Sequence, residues 1–570
     1  MTLEDREKII SNSYADLLLN YNGNQELFKD YANATVQIVD FFNAIIHVPL
    51  EQITDDIIMQ RGYSAMPLLY GLISETSLEK SGITRTRSIP PLNLRGKGVL
   101  VGILDSGIDY TNPIFKYADN TTRIISIWDQ TIFSDNYPLN TFYGTEFSRD
   151  QINNALKSDN SLSIVPTTDE IGHGTMLAGI AAGNEDPSNN FWGVAPDAEL
   201  VIVKLKQAKP YLKDFFRIPE SSICYQENDI LVAINYLISV AVLMNRPISI
   251  CIALGTSQGS HDGSDILSNY LSFQADNIGV SLVVAAGNEG NAKRHFYGVV
   301  NPAVGYQTVE LNVGENDKGF SMELWGSSPS IFSIDIMSPT GEYIPRIAAK
   351  LTENRYLTFI FEQATIFVDY QMVEPQSGDQ LILVRFRNLT AGIWRFKVYS
   401  RGKISSGFHI WLPMSGFISD NTYFITSNPY TTVLSLGNAS IPITVTSYNP
   451  IDDSLYINAS KGYTRLEAIK PDIAAPGVDI ISPTIDQGFA SISGTSPSAA
   501  HTAGATALLL EWGIVKGNLR NMSTINIKNM MIRGGRRNID LEYPNKDWGY
   551  GILDLYNIFD SLRRGIQPPK

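Results

Sequence analysis

From about residue 95 to residue 300, unbroken apolar runs alternate with segments of helical length. Val99–Leu104, Leu200–Val203, Ile248–Leu254 and Val280–Ala286 lack polar alternation, as strands buried on both faces require. Between them lie Gly172–Ala182, Asp229–Met244 and Gly263–Ala275, each long enough for a helix. Strands alternating with helices predict an α/β fold built on a doubly wound parallel sheet. From about 301 to 428 the helical period disappears. Thr308–Val313, Ile331–Ile336, Tyr356–Phe361, Ile366–Val373, Gln380–Phe386 and Ile393–Tyr399 read as short strands at hairpin-like intervals, as in a β-sandwich. The α/β pattern then returns in Ile441–Thr446, Asp472–Ile481 and the Ala-rich helix Pro497–Trp512. The β-rich block is therefore expected inside the α/β domain, not after it.

Ahead of this domain the signals are short and mixed. Phe41–Pro49 reads as a strand, Leu50–Gln60 as a helix and Met66–Ile73 as extended chain. These suffice for a small α+β domain. With 570 residues the chain has room for about three domains. The expected division is 1–75, a split α/β domain of 76–300 and 429–570, and an insert of 301–428.

Composition narrows the function. Hydrophobic residues at 44% and charged residues at 18% exclude long disorder. A net charge of −14 argues against nucleic acid or an anionic membrane as partner. Two cysteines, Cys224 and Cys251, supply neither a disulfide framework nor a multi-cysteine metal site. Cys251 sits in an apolar run and reads as a small core residue. The most apolar long stretch, Leu231–Met244, is too short to span a membrane and reads as a buried helix. The first residues show no basic segment followed by an apolar one, so cytoplasmic synthesis without a signal peptide is expected.

Three motifs carry candidate chemistry. Val101–Asp109 (VGILDSGID) ends a buried strand in Asp105, where open α/β sheets place their sites. Gly172–Ala182 (GHGTMLAGIAA) sets His173 at a helix start. Ser493–Gly504 (SGTSPSAAHTAG) sets Ser496 at the start of a helix, with Pro497 suited to its first position. Each has an ordinary structural reading on its own: a turn-capping Asp, a buried His, a helix-capping Ser. Together they supply an orienting carboxylate, a general base and a nucleophile, in the order Asp105, His173, Ser496.

The chain resembles the subtilisin-like serine proteases in six segments. These are Leu104–Asp109 (LDSGID), Gly172–Thr175 (GHGT), Asn190–Ala198 (NFWGVAPDA), Val284–Glu289 (VAAGNE), Pro471–Gly477 (PDIAAPG) and Ser493–Ser496 (SGTS). The resemblance implies that Asp105 orients, His173 takes the proton and Ser496 attacks the scissile carbonyl. It also implies that Asn288 and the Ser496 N–H stabilise the oxyanion. Ile252–Gly255 resembles the segment that pairs with an extended substrate, which makes Ala253, Leu254 and Gly255 candidate substrate contacts. Two departures stand out. Met176 replaces the family's usual second His, and proline directly follows the nucleophile at Pro497. A proline there biases Ser496 away from helical backbone.

Further expectations come from the resemblance alone. Residues 1–75 resemble a prodomain that chaperones and inhibits its own protease, with self-cleavage expected between about Leu72 and Thr76. The inserted block is similar to the β-sandwich, or jelly roll, of Csp-type proteases from spore-forming clostridia. That group activates the precursor of a cortex-degrading enzyme in germination, which would associate the protein with the spore. A protein or peptide substrate, a monomer and no organic cofactor or catalytic metal are implied. Structural calcium is common in such folds, but no ligand set is identifiable in the sequence. Two rival readings are a catalytically silent regulator with its cleft blocked by the prodomain, and a carbohydrate-binding role for the insert.

Overall fold

The computed structural model describes residues 14–49 except 22, 32–33 and 39–42, then 52 and 81, then 92–566. Within the last range it leaves out 133, 139–140, 142, 209–212, 214–215, 226, 350–351, 375–376 and 402–406. The chain divides into two compact units, Met1–Leu72 and Ile73–Lys570.

The first unit contains an antiparallel sheet in which Asn43–Pro49 pairs with Tyr14–Asn20 on one side and Thr35–Ile38 on the other. Tyr21, Ala44, Ile46 and Val48 are buried in its small core. The helix expected over Leu50–Gln60, the extended segment Met66–Ile73 and the cleavage position all fall outside the described residues, Gln52 apart.

The second unit is built on an eight-stranded sheet. Its strands are β1 (Leu100–Asp105), β2 (Ile124–Asp129), β3 (Thr145–Ser148), β4 (Glu199–Lys204), β5 (Ile248–Ile252), β6 (Val280–Ala285), β7 (Ile443–Tyr448) and β8 (Ile473–Pro476). They lie in the order β8-β7-β6-β5-β1-β4-β2-β3, and all pairs are parallel except β2 with β3. Strands β1, β5, β6 and β7 are buried at every position, so both faces must be covered. Four helices supply most of that cover: α1 (His173–Ala182), α2 (Glu227–Leu243), α3 (Ile266–Ala275) and α4 (Thr495–Leu510). Helix α4 packs against β5, β6, β7 and α1, and its small residues permit that close approach. Cys251 of β5 is buried, as its apolar run implies. No helix among the described residues is long and apolar enough to cross a membrane.

Between β6 and β7 the chain builds two antiparallel sheets that share one apolar core. One orders His295–Val299, Gly407–Trp411, Ser321–Gly326, Gln380–Arg387, Thr365–Gln371 and Thr352–Thr358. The other orders Tyr343–Ile347, Ile331–Met337, Gly392–Arg401, Tyr306–Val313 and Tyr423–Phe424. The first of these strands begins at His295, ahead of the expected boundary at 301.

Two expectations are corrected. The strand expected over Asp472–Ile481 is two strands, Ile473–Pro476 and Ile480–Pro483, in different sheets. Helix α4 starts at Thr495, so Pro497 is its third residue and Ser496 is already helical. Ser496 is thus helical despite the proline bias, and Pro497 costs the helix no bond because the first four helical N–H groups lack intrahelical partners.

The sandwich meets the rest of the unit through buried polar groups. Arg465 is buried and binds Asp262 and Asp379, each at 2.6 Å. His261 stacks on Trp411 with ring centroids 4.1 Å apart. His295 stacks on the same indole at 4.9 Å, and its Nε2 lies 2.9 Å from His409 Nδ1. Burial pushes all three imidazoles well below the usual histidine range, to about 4 for His261, about 3 for His295 and about 2 for His409.

Candidate active site

Asp105 ends β1 in the middle of the sheet and is only 2% exposed. Its Oδ1 accepts the Ser106 N–H at 2.7 Å. His173 opens α1, and its Nδ1 lies 2.9 Å from both Asp105 oxygens. A carboxylate only accepts, so Nδ1 carries the proton and Nε2 keeps a free lone pair. The His173 side chain remains 29% exposed. The Asp105 charge raises the His173 pKa above the ordinary value; burial opposes this, while the hydrogen bond to Asp105 and the Asp169 charge add to it. The next residue lets the helix come this near: a Cβ on Gly174 would lie 2.2 Å from Gly107 O and 3.2 Å from Asp105 Cβ.

Ser496 is half-buried in the first turn of α4, and α4 packs against the helix that carries His173. Its approach is set by Gly494, whose φ of 150° lies in the region open to glycine and whose N–H donates to Gly477 O at 2.8 Å. The dipole of α4 makes this end favourable to a developing anion.

Asn288 lies just beyond β6, with its side chain exposed. Its Oδ1 accepts the Thr495 N–H at 3.1 Å and lies 3.2 Å from Thr495 Oγ1. A backbone N–H can only donate, which fixes the amide orientation and turns Nδ2 away from Thr495. That nitrogen stands beside Gly494, 3.3 Å from where a Cβ would sit. Thr495 Oγ1 also accepts the Gly287 N–H at 3.1 Å, so one threonine holds the asparagine loop to the helix start. The next residue, Glu289, is buried; its Oε1 accepts the Ser415 N–H at 3.0 Å, and its Oε2 lies 3.2 Å from Arg294 Nη1. The sandwich thus reaches the asparagine loop directly.

Ala253, Leu254 and Gly255 directly follow β5 and are half-buried. The strand itself ends at Ile252, one residue into the segment expected to be extended. Among the described residues, no group of three or more His, Cys, Asp or Glu side chains could hold a metal ion.

The structure brings Asp105 and His173 together and holds Asn288 against Thr495, the residue before Ser496. Of three further participants, Ser106 and Thr495 lie within the LDSGID and SGTS motifs, while Asp169, four residues before His173, carries no recognisable signal. Such an arrangement has the parts for acyl transfer: a base oriented by a carboxylate, a hydroxyl at a helix start, and amide donors beside it.

The subtilase-family model matches residues 96–309 and 398–551, which together carry every residue of this constellation. The chain belongs to the subtilase family. The interruption in the match coincides with much of the sandwich. Among curated subtilases, the PI-type proteinase of Lactococcus lactis subsp. cremoris is 24% identical over 82% of this chain and 26% of its own length. The subtilisin-like protease SBT1.9 of Arabidopsis thaliana is 25% identical over 75% of this chain and 59% of its own. The chain therefore spans about a quarter of the lactococcal relative it matches. Among solved subtilase structures, the CspB protease of Clostridium perfringens superposes with a TM-score of 0.77 at 31% identity, covering 87% of this chain and 99% of that one.

Proposed function

We propose that this subtilase is a serine endopeptidase acting on proteins or extended peptides. Ser496 attacks the scissile carbonyl, and His173 Nε2 takes its proton and later delivers it to the leaving amine. Asp105 holds the imidazole in the required tautomer and stabilises the imidazolium. Asn288 Nδ2 and the Ser496 N–H receive the oxyanion. The reaction runs on the chain's own residues, without an organic cofactor or catalytic metal. The observation that carries this reading is the 2.9 Å contact of His173 Nδ1 with Asp105, on a helix that packs against the one opening with Ser496.

The first unit, Met1–Leu72, serves as a prodomain that the protease removes itself. The physiological task we propose, from the resemblance to Csp-type proteases, is processing of a protein precursor by an enzyme made in the cytoplasm and carried in the spore. The test is expression of the wild type and Ser496→Ala, followed by intact mass and N-terminal sequence. Cleavage near residues 72–76 in the wild type alone is expected. Full-length protein in both cases would favour a catalytically silent regulator instead.

A further inference from the structure

Resting on the assignment of Asp105 and His173 as the acid–base pair, we propose that Asp169 is a positioning residue for that pair. It is a second buried carboxylate that locks the first turn of α1 to the Asp105 turn. Asp169 is 4% exposed and accepts on both oxygens. Oδ1 takes the Gly172 N–H at 2.8 Å and lies 2.8 Å from Ser106 Oγ. Oδ2 takes the Thr175 N–H at 2.9 Å and the Thr175 hydroxyl at 2.8 Å. Its partners flank His173 on both sides, and the N-cap of α1, Gly172, has no side chain of its own to cap the helix.

Ser106 extends the link to the catalytic carboxylate. Its Oγ accepts the Gly174 N–H at 3.1 Å and stands between two carboxylates, 2.8 Å from Asp169 and 3.1 Å from Asp105 Oδ1. A hydroxyl has one proton to give, and the shorter contact assigns it to Asp169. Asp105 is then left with the imidazole N–H and the Ser106 N–H as its donors. Without the Asp169 acceptor, the Ser106 proton turns to Asp105 Oδ1 and competes with His173. Asp169 also adds to the charge that favours the imidazolium of His173. The other titratable groups near the pair are already committed. Glu170 is held by Lys204 Nζ at 2.9 Å, Tyr225 is pushed up by burial and by these same carboxylates, and the Cys251 thiol is pushed up by burial and by Asp105.

Capping alone would make Asp169 a stability residue; positioning makes it a determinant of rate and of pH dependence. The test compares Asp169→Asn with Thr175→Val in the full chain. Both remove hydrogen bonds at the same helix end, but only the first removes the charge. Asp169→Asn is expected to lower kcat by about 10–100-fold with KM within about twofold. The acid limb of kcat/KM should move to lower pH by about half a unit or more. Thr175→Val should lower Tm while leaving that limb in place. Histidine-labelled NMR reads the same titration of His173 without turnover. A wild type that fails to hydrolyse peptide would therefore sink the functional reading while the NMR titration still decides the role of Asp169. An unmoved His173 titration in Asp169→Asn, with Tm lost equally in both variants, would overturn the proposal. If Asp169→Asn does not accumulate, Ser106→Ala removes only the hydroxyl between the carboxylates. It should lower kcat several-fold at unchanged KM, and wild-type kcat there would contradict the link.

Discussion

Asn288 turns its side-chain oxygen to the Thr495 N–H, 3.1 Å away, and so presents its nitrogen beside the backbone that leads into Ser496. The nitrogen is aimed by the bond its partner oxygen makes. Asn288→Ala is expected to lower kcat by about 10²–10³, the range measured for the corresponding asparagine of subtilisin, with KM little changed. Thr495→Val removes only the hydroxyl that joins Asn288 to Gly287, and should cost a smaller factor in the same parameter. Steady-state kinetics on one peptide substrate checks both, and a loss in KM instead would point to substrate binding.

The raised pKa of His173 sets the pH dependence of hydrolysis. The base must be neutral, so kcat/KM should rise with pH through a value above the ordinary histidine pKa of about 6.5. Asp105→Asn removes the largest cause, so the acid limb should move to lower pH while kcat falls by about 10⁴. A limb that stays in place in that variant would separate the measured titration from His173.

Gly174→Ala tests how closely α1 must approach β1. The added Cβ would stand 2.2 Å from Gly107 O, a contact that only movement of the helix relieves. That movement draws His173 from Asp105, so activity should fall by about 100-fold or more. Thermal denaturation and kinetics on one preparation check it, and unchanged activity would show that the approach is not required.

Acid should weaken the seam between the sandwich and the sheet. His261, His295 and His409 are half of the six histidines in the chain, and burial depresses all three. Below about pH 6.5 the unfolded chain binds protons that these groups refuse in the folded state. Stability is therefore fully present above that pH and lost as pH falls towards their folded values. The slope approaches about 4 kcal/mol per pH unit if all three take part. Denaturant titrations between pH 8 and pH 5 measure it. His409→Gln should make the slope shallower by about one proton, and a slope independent of the variant would contradict this account.

The strands that could be read were those whose apolar runs match their burial. β1, β5 and β6 are continuous hydrophobic segments and sit in the middle of the sheet. β2 offers no unbroken apolar run because IISIWD carries Ser126 and Asp129, both buried and satisfied by long-range partners such as Tyr236 and Thr167. Ser321–Gly326 was hidden in the same way by Glu323, whose carboxylate is buried against Trp325 Nε1 and the Gly259 N–H. The break within Asp472–Ile481 is likewise a tertiary effect. At Gly477 the backbone passes so close to Ser447 and Ser498 that a Cβ would lie 2.4 Å and 1.9 Å from their hydroxyls. Asp105, His173, Asn288 and Ser496 were legible because each sits in a short motif at the end of a readable element. Asp169 was not, because its partners come from both sides of His173 and from a turn more than sixty residues earlier.

The proposed mechanism stands or falls on Ser496 as the activated nucleophile. The most direct measurement is reaction of the full chain with a fluorophosphonate probe, followed by intact mass and peptide mapping. One adduct per chain, on Ser496, is predicted, abolished by Ser496→Ala and strongly slowed by His173→Ala. An unlabelled wild type, or equal labelling of Ser496→Ala, would contradict it.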